Sequence, residues 1–182
     1  MEKLLKKELR KKYTQIRDGI SNLELDMNSK IIEEKILNYI DEYENFLIYI
    51  NIKSEVKTNS LIQRLILLNK KVFIPKIVED EMCFVKINSL NTLKLGKYNI
   101  PEPSKGQIYK GEEALVIVPG LVFSKEKYRI GYGKGYYDKF ISKNRQNFYL
   151  GICFENQIID KFDFDKFDEK LDTIITEENI IN

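Results

Sequence analysis

The 182-residue sequence predicts an α/β fold, a sandwich of helices around a mostly parallel sheet. Three observations lead to it. Short apolar, β-rich runs alternate with segments of helical periodicity along the chain. The strand–helix–strand unit from Phe46 to Ile74 implies parallel neighbours joined by a right-handed crossover. The most apolar run, Ala114 to Val118, leads through a glycine-rich loop into a helix, the setting in which open α/β sheets place their ligands. Residues 1–182 read as one domain, with residues 1–20 as an amphipathic helix packed on it.

Leu5, Leu9, Tyr13, Ile16 and Ile20 recur at helical spacing and predict a helix over about residues 2–19, ended by Gly19 and Ser21-Asn22. Its other side carries Lys3, Lys6, Lys7, Arg10 and Arg17. Lys6 and Arg10 stand over one another, either as a solvated face or as a clamp on phosphates. Asn28-Ser29 can cap a second helix through Ile32, Ile36, Tyr39, Ile40 and Tyr43. Phe46 to Ile50 reads as a buried strand, and Thr58-Asn59-Ser60 as the cap of a helix bearing Leu61, Leu65, Ile66 and Leu68. Val72 to Ile74 is a strand expected to stop at Pro75. Met82 to Ile87 alternates well enough for an antiparallel strand. Leu90 to Gly111 looks irregular, and a loop of that length in a compact domain is usually functional or mobile. Gly135 to Lys143 reads as a helix, with Phe148 to Phe154 and Leu171 to Thr176 as the last strands.

Composition narrows the chemistry. A chain of this length buries roughly 70% of its unfolded surface, enough for a full core. There is no His, so a Ser–His–Asp triad, a Cys–His pair and any His-ligated metal site are excluded. Thirty Lys and Arg against 28 Asp and Glu give a net charge of +2, too little to pull the chain toward nucleic acid or an acidic membrane. Cys83 and Cys153 lack metal-type spacing and read as reduced thiols. With no span-length apolar run and no signal-peptide core, the expectation is a cytoplasmic monomer that binds no nucleic acid and no membrane.

The glycine-rich stretch carries the chemistry. After Val118-Pro119-Gly120-Leu121-Val122-Phe123 and a polar detour comes Gly131-Tyr132-Gly133-Lys134-Gly135-Tyr136-Tyr137-Asp138. Alternate glycines let successive N–H groups face one anion, and the helix behind them adds free N–H groups and the positive end of its dipole. Lys134 can reach the same phosphate, and Asp138 can hold a Mg²⁺ that travels with a nucleotide. Neither the P-loop nor the dinucleotide pattern is present. Tyr132, Tyr136 and Tyr137 can stack on a flat ring or pack the core. Residue chemistry alone reaches phosphate binding.

The pattern resembles the 5-formyltetrahydrofolate cyclo-ligase family over nearly the whole chain. The matching motifs are Lys6 to Arg10, Ile50-Asn51 to Glu55, Phe73 to Lys76, Tyr98 to Pro103, Arg129 to Phe140 and Leu171 to Glu177. Many members carry Trp where Tyr98 stands and often His where Phe167 stands, so no essential proton transfer is expected at position 167. The resemblance implies a three-layer α/β/α fold of the sugar-phosphate isomerase and CoA-transferase type. It implies ATP-dependent cyclisation of 5-formyltetrahydrofolate, with Lys134 and Arg10 as catalytic cations. Lys6, Arg10 and Arg129, Gly131, Tyr132, Gly133, Lys134, Gly135, Tyr136 and Tyr137 would hold ATP. Ile50, Glu55 and Tyr98, with Tyr132, Gly133, Lys134, Gly135 and Tyr136, would line the folate pocket, and Asp138 and Asp172 would hold Mg²⁺. Two other readings share parts of the pattern. An isomerase or transferase would use Glu55 as base or nucleophile without ATP, and a nucleic-acid module would use the basic helix and tyrosines, against the near-neutral charge.

Overall fold

A computed structural model describes residues 2–182, with the side chains of Glu2, Lys3, Leu4 and Lys97 outside the described set, and the Lys3 part of the basic face lies among them. Helix α1 spans Glu2–Asp18. Helix α2, Asn22–Ile36, begins earlier than expected. Its N-cap is Ser21, whose side chain accepts from the amide of Glu24 while the Glu24 carboxylate reaches back to the Ser21 amide. Ser29, expected as the cap, is instead buried inside the helix, where its hydroxyl accepts from the amide of Lys57.

Strand β1 (Asn45–Leu47), helix α3 (Asn59–Leu67) and strand β2 (Lys71–Val78) form the expected crossover unit, with β1 and β2 parallel. Strand β2 runs through Pro75 rather than stopping there. The Lys71 amide donates to Glu44 and the Phe73 carbonyl accepts from Ile48, so the odd-numbered residues of β2 turn their polar groups toward β1. Pro75 falls on that side beyond the last β1 contact, where no ladder hydrogen bond is lost. Strand β3 (Glu81–Ile87) pairs antiparallel with β2, as expected. The irregular stretch holds a small antiparallel hairpin, β4 (Leu93–Leu95) and β5 (Pro101–Pro103).

Strand β6 (Leu115–Val118) is buried throughout. After Pro119-Gly120-Leu121 the chain forms a hairpin, β7 (Val122–Ser124) and β8 (Arg129–Ile130), whose turn lies in the polar detour. Helix α4 (Tyr136–Lys143) and strand β9 (Phe148–Ile152) follow. Strand β10 (Ile158–Ile159) joins β7 in a second sheet, and β11 (Thr173–Ile175) pairs parallel with β9. Strand β12 (Ile180–Ile181) adds an antiparallel edge. The main sheet runs β12-β11-β9-β6-β1-β2-β3, with β11, β9, β6, β1 and β2 mutually parallel.

Alternation along the central strands builds the three layers. Phe46, Ile48, Val72, Ile74, Leu115, Ile117, Leu150 and Ile152 face one way, onto α2 and α3. Leu47, Phe73, Val116, Val118, Tyr149 and Ile174 face the other way, onto Phe140 and Ile141 of α4. A third cluster joins Tyr13 of α1 to Leu121, Val122 and Ile130 of the hairpin. That cluster brings the N-terminal helix beside the glycine loop.

Candidate active site at the carboxyl ends of the sheet

The glycine loop starts where β8 ends, and that end is anchored. Leu121, after β6, donates its amide to the Ile130 carbonyl at 2.8 Å, and Gln157 donates to the carbonyls of Gly120 and Leu121 at 3.1 and 3.0 Å. Gly133 has φ +97° and Gly135, the N-cap of α4, has φ +68°, conformations that side chains rarely adopt. The curl turns the loop over the first turn of α4. Arg10 reaches it from α1, its Nε donating to the Gly131 carbonyl at 2.8 Å. The Arg10 guanidinium carbon would stand 3.5 Å from a Cβ at Gly133, an ordinary contact distance, so it is the positive φ rather than lack of space that favours glycine there. Lys134 is exposed and makes no ion pair among the described residues.

Helical geometry explains why one helix can serve several segments. At about 100° per residue, Lys6, Arg10 and Arg17 fall within roughly a 40° arc of α1. Arg10 is the one at the loop backbone. Lys6 pairs instead with Asp168 and Asp165, at 3.3 Å for the latter. Burial works against its charge, but the two carboxylates outweigh that and hold the ammonium above its ordinary value. Arg17, which the sequence presents as one more cation of a basic face, is 2% exposed. Helical position does not single it out, because Lys6 and Arg10 lie about 20° to either side of it on the same arc.

Glu55 lies in the turn after β1 and is 5% exposed. Its Oε2 accepts from the Ile52 amide at 2.9 Å and its Oε1 accepts from the Tyr132 hydroxyl at 2.8 Å. Burial pushes the carboxyl up, opposed by the Ile52 amide, Arg17 and Tyr132. The Tyr132 phenol is pushed up to about 12, by burial first and then by the Glu55 charge. Its ring is half exposed while its hydroxyl turns inward. Beside these groups Arg17, Tyr49, Glu55, Gly120, Ile152 and Gln157 line a narrow crevice, too tight as it stands to admit even a water molecule. It opens at the carboxyl ends of β1, β6 and β9, the crevice where an open parallel sheet is expected to bind ligands. Ile50 is buried close by, in the core beneath that edge.

The other expected residues divide. Tyr136 and Tyr98 meet hydroxyl to hydroxyl at 3.2 Å, Tyr98 standing at φ +64° in the turn between β4 and β5. Tyr137 turns into the core, its ring 6.5 Å from Phe84 and 5.7 Å from the Arg129 guanidinium. Arg129 is buried and donates to Asp138 Oδ1 at 2.9 Å. Arg129 Nε and the Tyr137 hydroxyl are buried without a hydrogen bond, an arrangement that costs about 1–3 kcal/mol per group unless a ligand supplies a partner.

The two carboxylates expected on Mg²⁺ are held separately. Asp138 Oδ1 accepts from Arg129 and from the Glu169 amide, leaving its second oxygen without a hydrogen bond among the described residues. Asp172 precedes β11, at the amino ends of the strands, and its Oδ2 accepts from the Tyr149 amide at 2.7 Å. No group of three or more His, Cys, Asp or Glu among the described residues is placed to cage a metal. A lone available carboxylate in the first turn of α4 fits Mg²⁺, which binds through one or two carboxylates plus substrate phosphates. Asp172 would have to leave its amide partner to join it.

Comparison with known proteins matches the chain to one family. The profile of the 5-formyltetrahydrofolate cyclo-ligase family matches residues 2–177. A probable 5-formyltetrahydrofolate cyclo-ligase of Schizosaccharomyces pombe is 36% identical over 160 residues, 76% of this chain and 77% of the relative. One of Caenorhabditis elegans is 30% identical over 197 residues, covering 98% of this chain and 96% of the relative. The solved 5,10-methenyltetrahydrofolate synthetase of Aquifex aeolicus superposes with a TM-score of 0.87 at 29% identity, over 97% of this chain and 91% of that one. That of Mycoplasma pneumoniae gives 0.76 at 25% identity, over 94% and 98%. By sequence and fold alike, the chain belongs to the 5-formyltetrahydrofolate cyclo-ligase family.

Proposed function

We propose that this chain uses ATP to cyclise 5-formyltetrahydrofolate to 5,10-methenyltetrahydrofolate, releasing ADP and phosphate. The observation that carries the reading is the placement of Arg10 on the glycine loop next to the buried Glu55 crevice. A phosphate cradle and a polar pocket then share one edge of the sheet. The formyl oxygen attacks the γ-phosphorus, the bond to ADP breaks, and a phosphorylated imidate forms. The nitrogen at position 10 adds to that carbon and loses its proton. The carbon–oxygen bond breaks, and the former formyl oxygen leaves in inorganic phosphate.

The chain needs no side-chain nucleophile for this. Phosphoryl transfer depends mainly on positioning and on neutralising charge. The amides of Gly131 to Gly135 and the start of α4 cradle the phosphates, Arg10 holds the loop and faces them, and Lys134 is unpaired and able to reach them. Glu55, Ile50, Tyr98, Tyr132 and Tyr136 border the folate, with Glu55 accepting from a polar edge of the pterin. Arg129 and Tyr137 hold the loop from below. Lys6 joins the phosphates by exchanging Asp168 and Asp165 for them. Mg²⁺, held by Asp138 and, after rearrangement, Asp172, would add positive charge at the transferred phosphoryl group. Two free cysteines suit a reducing compartment such as the cytoplasm, and no helix among the described residues is long and apolar enough to cross a membrane.

The assay mixes protein, Mg-ATP and 5-formyltetrahydrofolate and follows the near-ultraviolet absorption of the conjugated methenyl product. The signal is expected to require both substrates. Folded protein that gives no ATP-dependent signal would overturn the reading.

A further inference from the structure

Helix α1 supplies a cation that phosphate binding does not use. A guanidinium as buried as that of Arg17 is costly unless its N–H groups are met. Separate segments meet it. Its Nε donates to Ser54 Oγ at 3.1 Å, and Nη2 donates to the Tyr132 hydroxyl at 2.8 Å. Its Nη1 lies 3.9 Å from Glu55 Oε1. The Tyr132 hydroxyl, having accepted from Arg17, gives its own proton to Glu55 Oε1. The Ser54 hydroxyl likewise passes its proton to Asp18, the neighbour of Arg17 on α1. Tyr132 belongs to the glycine loop, and Ser54 and Glu55 belong to the turn after β1. Arg17 therefore sits at the junction of the two segments that the proposed reaction assigns to its two substrates.

We infer that Arg17 is a positioning residue that locks the glycine loop to the 51–58 turn through Tyr132 and Glu55, so that nucleotide and folate each favour binding of the other. This rests on the proposed function, which puts the phosphates on the loop and the folate against Glu55. A phenol has one proton. With Arg17 donating to Tyr132, that proton must go to an acceptor, and Glu55 takes it, which fixes the Tyr132 rotamer and with it the amides of Gly133 and Lys134. A ligand that orders one segment then lowers the ordering cost left to the other ligand. A lysine at position 17 would keep the charge but not the planar fork that reaches Ser54 and Tyr132 together.

The test is equilibrium binding of β,γ-imido ATP with Mg²⁺, by calorimetry, with and without saturating 5-formyltetrahydrofolate, a pair that binds without turnover. In the unsubstituted protein the folate is expected to tighten the nucleotide analogue about tenfold, and the reverse titration must return the same factor. Arg17→Met, Arg17→Lys and Tyr132→Phe are each expected to bring that factor to about one, and the Arg17→Met/Tyr132→Phe double variant to lose no more than either single change. Retention of the factor in folded Arg17→Met and Tyr132→Phe, or its absence from the unsubstituted protein, overturns the inference. If Arg17→Met does not fold, Tyr132→Phe decides, since it removes the hydroxyl link without emptying the Arg17 site. Failure of the proposed reaction would show differently, as no ATP-dependent methenyl formation by unsubstituted protein.

Discussion

Arg10 and Lys134 are the two cations whose removal separates a phosphate site from a structural turn. Arg10 already donates to the Gly131 carbonyl, while Lys134 stands exposed and unpaired. A charge-assisted hydrogen bond is worth about 1.5–3 kcal/mol. Arg10→Ala and Lys134→Ala are therefore each expected to lower kcat/KM for ATP by roughly ten- to a hundredfold. Lys134→Ala should leave the thermal midpoint unchanged, because no contact is lost; Arg10→Ala should lower it, because the loop carbonyl loses its donor. Steady-state kinetics and a melting curve on each variant check both parts. At this scale the sequence was informative where spacing repeated, as at Lys6 and Arg10 or through the glycines. It was silent on Arg17, whose inward direction depends on the tilt of α1 against the hairpin. It was equally silent on Asp165 and Asp168, which reach Lys6 across more than 150 residues.

Elements were legible where helical spacing repeated or where an apolar run extended past the paired residues, as Phe46 to Ile50 does around β1. The helices and the central strands show clear periodicity, and β6 reads as buried because every residue of it is. The hairpin β7–β8 and strand β10 have two or three residues each, too few for any period to appear, so the second sheet could not be foreseen. The start of α2 was misplaced for another reason. Asn28-Ser29 and Ser21 are all good capping residues, and what decides between them is the reciprocal bond of Ser21 with Glu24. Ser21→Ala is accordingly expected to destabilise the fold by about 1 kcal/mol, visible in the urea midpoint. Ser29→Ala should cost a similar amount, but by removing the buried hydroxyl that the Lys57 amide donates to rather than by loosening a helix end. Combining each with Glu24→Ala distinguishes the mechanisms: Ser21→Ala should be markedly non-additive with it and Ser29→Ala additive.

At the scale of the whole molecule, the crevice is a place where folding and function pull in opposite directions. The parallel sheet buries its middle on both faces and leaves its carboxyl edge to hold polar groups, and Glu55 is the carboxylate it buries most deeply there. Burial raises its proton affinity, opposed by three groups: the Ile52 amide from its own turn, Arg17 from α1 and Tyr132 from the glycine loop. The Tyr49 and Tyr137 phenols are kept neutral by burial and by the Glu55 charge itself. Burial outweighs the favourable contacts, so the folded chain holds the Glu55 proton more tightly than the unfolded chain does. The resulting contribution to stability is fully present below the ordinary Glu range and is lost as the pH rises through the raised value in the folded state. Glu55→Gln cannot titrate. Measured by urea unfolding from pH 4 to pH 7, the stability of the unsubstituted protein relative to Glu55→Gln should fall as the pH rises. A relative stability that instead grew with pH would mean that Arg17 and the Ile52 amide, not burial, set the Glu55 proton affinity. In the cyclisation assay at pH 7 the same variant should show a raised KM for 5-formyltetrahydrofolate, because an amide in place of the anion turns a donor toward the Tyr132 hydroxyl and accepts more weakly from a pterin edge. A carboxylate whose ionisation burial disfavours is a functional-site candidate on physical grounds, and the proposed folate contact supplies a use for its anion.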